Sequence, residues 1–139
     1  MQPNEIFPPV FALVGLTFVV LLMIPIARFR AAYAGRVTSA DFRVGESDKV
    51  PEAARLPNRN YMNLLELPLL FYVACLTLYV THTVDRTAVI VAWIYVALRA
   101  LHSLIQLSYN KVLHRFAVFA TSNVVLSVLW LRLALALGA

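Results

Sequence analysis

The sequence predicts an all-α fold, an integral membrane four-helix bundle, on three observations. Of its 139 residues, 61% are hydrophobic and only 14% are charged. The mean hydropathy is +0.76, and the apolar residues gather into four long runs. A soluble domain carries about 25% charged residues. At about 20 residues per bilayer crossing, the chain holds one domain, 1–139. The runs are continuous and lack the apolar/polar alternation of a barrel wall. They also lack the polar outer face that a soluble bundle presents.

The first run, 7–27, has no basic residue before it and arginines after it. With three more runs following, it reads as a retained helix and not a signal peptide, although Ala32-Tyr33-Ala34 imitates a cleavage site. The loop 28–61 is the one extended polar segment. Gly45, Glu46, Ser47 and Asp48 suit a turn, Pro51 and Pro57 punctuate, and a short helix fits between those prolines. The second run, 62–81, is followed by a loop holding only Arg86. The third, 88–107, leads to a loop with Lys111 and Arg115, and the fourth covers 116–137.

The net charge of +5 is distributed as a topology signal, not as a footprint for nucleic acid. Loop one carries seven Lys or Arg residues and loop three carries two, against one in loop two. The positive-inside rule therefore places loops one and three in the cytoplasm and both termini outside, as expected in a bacterial inner membrane. Arg132, near the end of helix four, is expected to snorkel to the outer interface. The single cysteine, Cys75, excludes an intramolecular disulfide, and no Cys/His cluster has metal-ligand spacing.

Ionisable side chains inside lipid cost about 2.5–3.5 kcal/mol each at mid-helix on insertion scales, so each needs a partner or a purpose. Arg59, Asn63 and Glu66 fall at i, i+4 and i+7, which stacks them on one helical face. Arg99, His102 and Gln106 fall at i, i+3 and i+7 on helix three, with Tyr95 one turn earlier. Arg28 and Arg30 close helix one, and Arg115 opens helix four, at the same end. Several guanidinium groups thus face one carboxylate, and guanidinium forks favour carboxylate or phosphate ligands. An anionic ligand entering from the cytoplasm fits this surplus, with Glu66 free for a ligand amine. Two structural readings stand beside it. Arg28, Arg30 and Arg59 also fit interfacial anchors, and Asn63, Glu66 and Arg99 also fit a clamp that only joins helices.

The string Arg59-x-x-x-Asn63-x-x-Glu66, followed by Pro68 in the second of four short spans, resembles the hallmark of the MAPEG family. These are the membrane-associated proteins in eicosanoid and glutathione metabolism. Arg99-x-x-His102, with Arg115 sixteen residues beyond Arg99, is similar to the microsomal prostaglandin E synthase and microsomal glutathione transferase branch, in a bacterial-type member. The resemblance covers the whole chain in length, helix count and orientation.

This resemblance implies a homotrimer with glutathione as cosubstrate, held in a cytoplasmic-facing cleft between subunits. It assigns glutathione binding to Arg28 or Arg30, to Arg59, Asn63 and Glu66, and to Arg99, His102 and Gln106. Arg115 is similar to the family residue that stabilises the glutathione thiolate, the catalytic role. The implied activity is that of a detoxifying transferase or peroxidase acting on a lipophilic electrophile from the bilayer, among membrane lipids. Two departures bear on it: Gln106 stands where the eicosanoid enzymes have tyrosine, and Phe116 where the prostaglandin branch has serine. The alternative is a non-catalytic ligand-binding or scaffold protein of the same family. A transporter fits less well, because the outer halves of helices two and three carry no comparable charges.

Overall fold

A computed structural model describes residues 2–138. Its helices are α1 (Phe7–Tyr33), α2 (Glu52–Leu65), α3 (Pro68–Val80), α4 (Arg86–Leu107) and α5 (Val112–Leu137), with 3-10 turns at Pro3–Ile6 and Ser39–Phe42. α2 and α3 continue one another, so four segments are long and apolar enough to cross a membrane: Pro3–Tyr33, Glu52–Val80, Arg86–Leu107 and Val112–Leu137.

α1 and α2 reach well past their apolar stretches. α1 continues through Arg28, Phe29, Arg30, Ala31 and Ala32, a stretch dominated by good helix formers, and stops where Gly35 takes a φ of +67°. There the Gly35 amide donates to Ala32 O at 2.9 Å and the Arg36 amide to Ala31 O at 3.0 Å, the paired bonds of a Schellman cap. α2 starts directly after Pro51 and contains Pro57, so the segment between the prolines is its first turns and not a separate helix. The loop between α1 and α2 is correspondingly short. It folds on Asp41, whose carboxylate accepts from the Thr38 amide at 2.8 Å and the Ser47 hydroxyl at 2.8 Å. Val37 and Val50 are buried beside Ala31 and Ala54, which pins this loop to α1 and α2.

The second span is broken at Glu66, whose backbone (φ −78°, ψ −97°) leaves the helical region. Pro68 is the cause, since it has no amide to donate back and its ring crowds the preceding turn. At the opposite end, Asp85 caps α4 by accepting from the Ala88 amide at 2.7 Å. Its other oxygen accepts from Arg132 of α5, so the arginine expected to snorkel alone has a carboxylate partner on a neighbouring helix.

α4 lies at the centre, packed along α5 and against α1 and α2. The core runs through Leu13 and Val20 of α1, Phe71, Cys75 and Leu78 of α3, Ala92 and Tyr95 of α4, and Leu129 and Leu133 of α5. Large apolar residues also cover the outside, among them Phe11, Phe18, Leu22 and Leu131. Apolar contacts both inside and out suit a lipid surround and not water.

Candidate functional site

The polar residues of the second and third spans meet beside α5. A cleft of about 420 Å³ is lined by Arg59, Met62, Asn63 and Glu66 of the second span, His102 and Gln106 of α4, and Val112, Arg115, Phe116 and Phe119 of α5. Six of the nine expected site residues therefore line one cavity of a single chain. The two helical spacings explain it: each stripe occupies one face, and the α2–α4 packing turns the faces together.

Arg99 sits behind this lining and is fully buried. Its Nη2 donates to the main-chain carbonyl of Asn63 at 2.9 Å, and its Cζ lies 5.7 Å from the centroid of the Phe119 ring. The same ring lies 5.8 Å from that of His102, so Phe119 covers both groups from α5. Several buried polar atoms here have no partner among the described residues: Arg99 Nε and Nη1, His102 Nδ1 and Gln106 Oε1. Buried polar atoms are ordinarily bonded, and a set of free donors and acceptors bordering a cleft suits a polar ligand. Glu66 is exposed and forms no ion pair among the described residues. Two arginines, Arg59 and Arg115, line the same cleft as Glu66.

Arg28 and Arg30 are not brought to this cleft within the chain. Arg28 pairs with Glu46 at 3.1 Å and lies 4.7 Å from the Phe42 ring centroid, tying loop one to α1. Arg30 borders a separate cleft of about 620 Å³ with Glu52, Pro57 and the turn at Ser108, Tyr109 and Asn110. Tyr95 is also absent from the lining, being buried and stacked on Phe71 with centroids 4.8 Å apart. Among the described residues no group of three or more His, Cys, Asp or Glu side chains could hold a metal ion.

Sequence reasoning missed three features. Met62, Val112 and Phe119 form the apolar wall of the cleft, and nothing separates them in sequence from ordinary lipid-facing residues. Asn60 and Ser103, both buried, join α2 to α4 through a 3.0 Å bond from the Ser103 hydroxyl to Asn60 Oδ1. Their signal was present, because Asn60 precedes Asn63 by three residues and Ser103 follows Arg99 by four. Asn110 accepts from Arg115 Nη1 at 2.7 Å, a contact that only the turn between α4 and α5 creates.

A family model described as the MAPEG family matches residues 6–135, nearly the whole chain. No curated protein and no solved structure matches it. With four helices long and apolar enough to cross a membrane, the chain is an integral membrane protein and belongs to the MAPEG family, the membrane proteins of eicosanoid and glutathione metabolism.

Proposed function

We propose that the protein is a membrane-bound, glutathione-dependent transferase or peroxidase acting on lipophilic electrophiles. One observation carries the reading: a single cleft combines two arginines, a glutamate that forms no ion pair among the described residues and a wall of Met62, Val112, Phe116 and Phe119. Glutathione has two carboxylates, an amine and a thiol. Arg59 and the free donors of Arg99 suit its carboxylates, Glu66 its amine, and Gln106 its peptide amide.

Arg115 is the group proposed to act on sulfur. A free thiol has a pKa of about 8.5 and is mostly protonated at neutral pH, so a guanidinium beside it favours the nucleophilic thiolate. In transfer, the thiol proton goes to water, the sulfur bonds to the electrophilic carbon, and the leaving group departs with the bonding pair. In the peroxidase reaction the thiolate attacks a peroxide oxygen and releases an alcohol. A second glutathione then converts the sulfenic acid to a disulfide and water. The apolar wall lets the acceptor arrive from the bilayer.

The proposed assembly is a homotrimer with loops one and three on the cytoplasmic side of a bacterial inner membrane. Within one chain Arg28 and Arg30 stand away from the cleft, so a helix-one arginine would join glutathione only from a neighbouring subunit. Exposure of the Glu66 side chain in a membrane span also favours cover by another chain, since an ionisable group without a partner in lipid is costly.

A second reading, a ligand-binding protein without turnover, is favoured by one feature: no serine, threonine, tyrosine or cysteine lines the cleft. The deciding experiment is purification in detergent, followed by glutathione binding and conjugation to an aryl halide. Binding with turnover supports the enzyme. Binding alone supports the second reading, and absence of both removes the two together.

A further inference from the structure

Asn110 occupies the turn between α4 and α5 with φ at +47°, a left-handed conformation that asparagine adopts more readily than most non-glycine residues. Its side chain is engaged on both sides. Nδ2 donates to Glu52 Oε1 of α2 at 3.1 Å, and Oδ1 accepts from Arg115 Nη1 at 2.7 Å. These partners fix the amide's orientation, because a flipped amide would set donor against guanidinium donor and acceptor against carboxylate. The three residues border a further cleft of about 300 Å³, with Arg55 and Arg59. Arg59 and Arg115 also line the main cleft, so Asn110 holds Arg115 where the two clefts adjoin.

We infer that Asn110 is a positioning residue for Arg115, a neutral acceptor that fixes the guanidinium without cancelling its charge. This rests on the reading of Arg115 as the group that favours the glutathione thiolate. A carboxylate at the same place would form an ion pair and draw the positive field onto itself. The amide instead separates Glu52 from Arg115 while bridging them. Arg115 therefore keeps a defined direction and forms no ion pair among the described residues.

The test uses the full chain in detergent with two variants. Asn110→Gly accepts the positive φ without strain and so keeps the turn while removing the acceptor. Its kcat for aryl halide conjugation should fall about tenfold or more, as expected for a displaced catalytic group, with the glutathione Kd changed by less than about twofold. Asn110→Asp keeps an acceptor of the same shape but adds charge. The apparent pKa of the bound thiol, followed by thiolate absorbance against pH, should rise by about one unit. A purely structural role for Asn110 would lower the Tm and leave that titration in place. If the wild type conjugates and neither variant moves kcat or the titration, the inference falls while the glutathione reading stands. A wild type that binds glutathione without lowering its thiol pKa also overturns the inference. A wild type that binds no glutathione overturns both.

Discussion

Arg99 and Asn63 are joined by a bond from a buried guanidinium to a main-chain carbonyl, Nη2 to O at 2.9 Å, and Pro68 makes that carbonyl available. In an unbroken helix the Asn63 carbonyl would accept from the Leu67 amide, four residues on. Here the helix leaves its path at Glu66, and the amides that follow bond at shorter range, Leu69 to Glu66 O at 3.1 Å and Leu70 to Leu67 O at 3.0 Å. A carbonyl left without its helical partner in a membrane span is costly. Arg99 satisfies it, which holds the two polar helices in register and leaves Nε and Nη1 for other partners.

Restoring the helix should therefore weaken the dependence on Arg99. Arg99→Met is expected to lower stability in detergent by about 1–3 kcal/mol, because it leaves the Asn63 carbonyl unpaired. In a Pro68→Ala background the Leu67 amide can reclaim that carbonyl, so the same substitution should cost about 1 kcal/mol less. Thermal unfolding of the four proteins completes the cycle. Equal costs in both backgrounds would show that the bond does not depend on the break.

The buried pair Asn60 and Ser103 offers a contrasting case, a clamp outside the cleft lining. Asn60→Ala or Ser103→Ala should each cost about 1–2 kcal/mol, and the double variant less than the sum, since each single change strands the other partner. Glutathione affinity should stay within about twofold of wild type. A large loss of affinity with unchanged Tm would move these residues from the clamp to the site.

Much of this arrangement was legible in sequence, because helical period alone puts residues three, four and seven apart on one face. Arg59, Asn63 and Glu66, and likewise His102 and Gln106, reached one cavity on that rule. The break at Glu66 was less legible: Pro68 was visible, but which carbonyl it frees depends on the path the backbone takes. Asn110 depends on turn geometry, which carries no period. The sequence left the helix-one arginine as Arg28 or Arg30, and the folded loop separates the two by bringing Glu46 and Phe42 to the first.

Glu66→Gln tests the proposed amine contact. Gln removes the charge, keeps the shape and should weaken glutathione binding about tenfold, within the range for a charge-assisted hydrogen bond. The proposed trimer should remain assembled, as read by light scattering in detergent. Dissociation of the oligomer with no specific loss of affinity would make Glu66 part of the assembly contact instead.

Asp41 predicts a local pH response in loop one. The Thr38 amide, the Ser47 hydroxyl and the Thr38 hydroxyl bond its carboxylate and hold its pKa below the usual 3.8. A carboxyl depressed on folding stabilises the loop fully above its unfolded value and loses that contribution as pH falls through the folded one. Amides in 38–47, followed by hydrogen exchange corrected for intrinsic rates, should keep constant protection above about pH 5 and lose it below about pH 4. Asp41→Asn should abolish that response. Equal pH dependence in the two proteins would assign it to another group.

Arg115→Leu separates chemistry from binding. The guanidinium enters the cleft at the start of α5, and no cleft hydroxyl competes with it for the sulfur. Leucine should reduce conjugation about 100-fold or more, the scale of removing one electrostatic contact to developing charge, while glutathione binds with little loss. That split marks an interaction stronger in the transition state than in the ground state. The bound thiol should then titrate close to its free value. If Arg115→Leu retains full activity, the guanidinium has no part in thiolate formation and the contact with Asn110 serves only the turn. If it loses binding and activity equally, Arg115 holds a glutathione carboxylate, and activation has to come from Arg59 or His102.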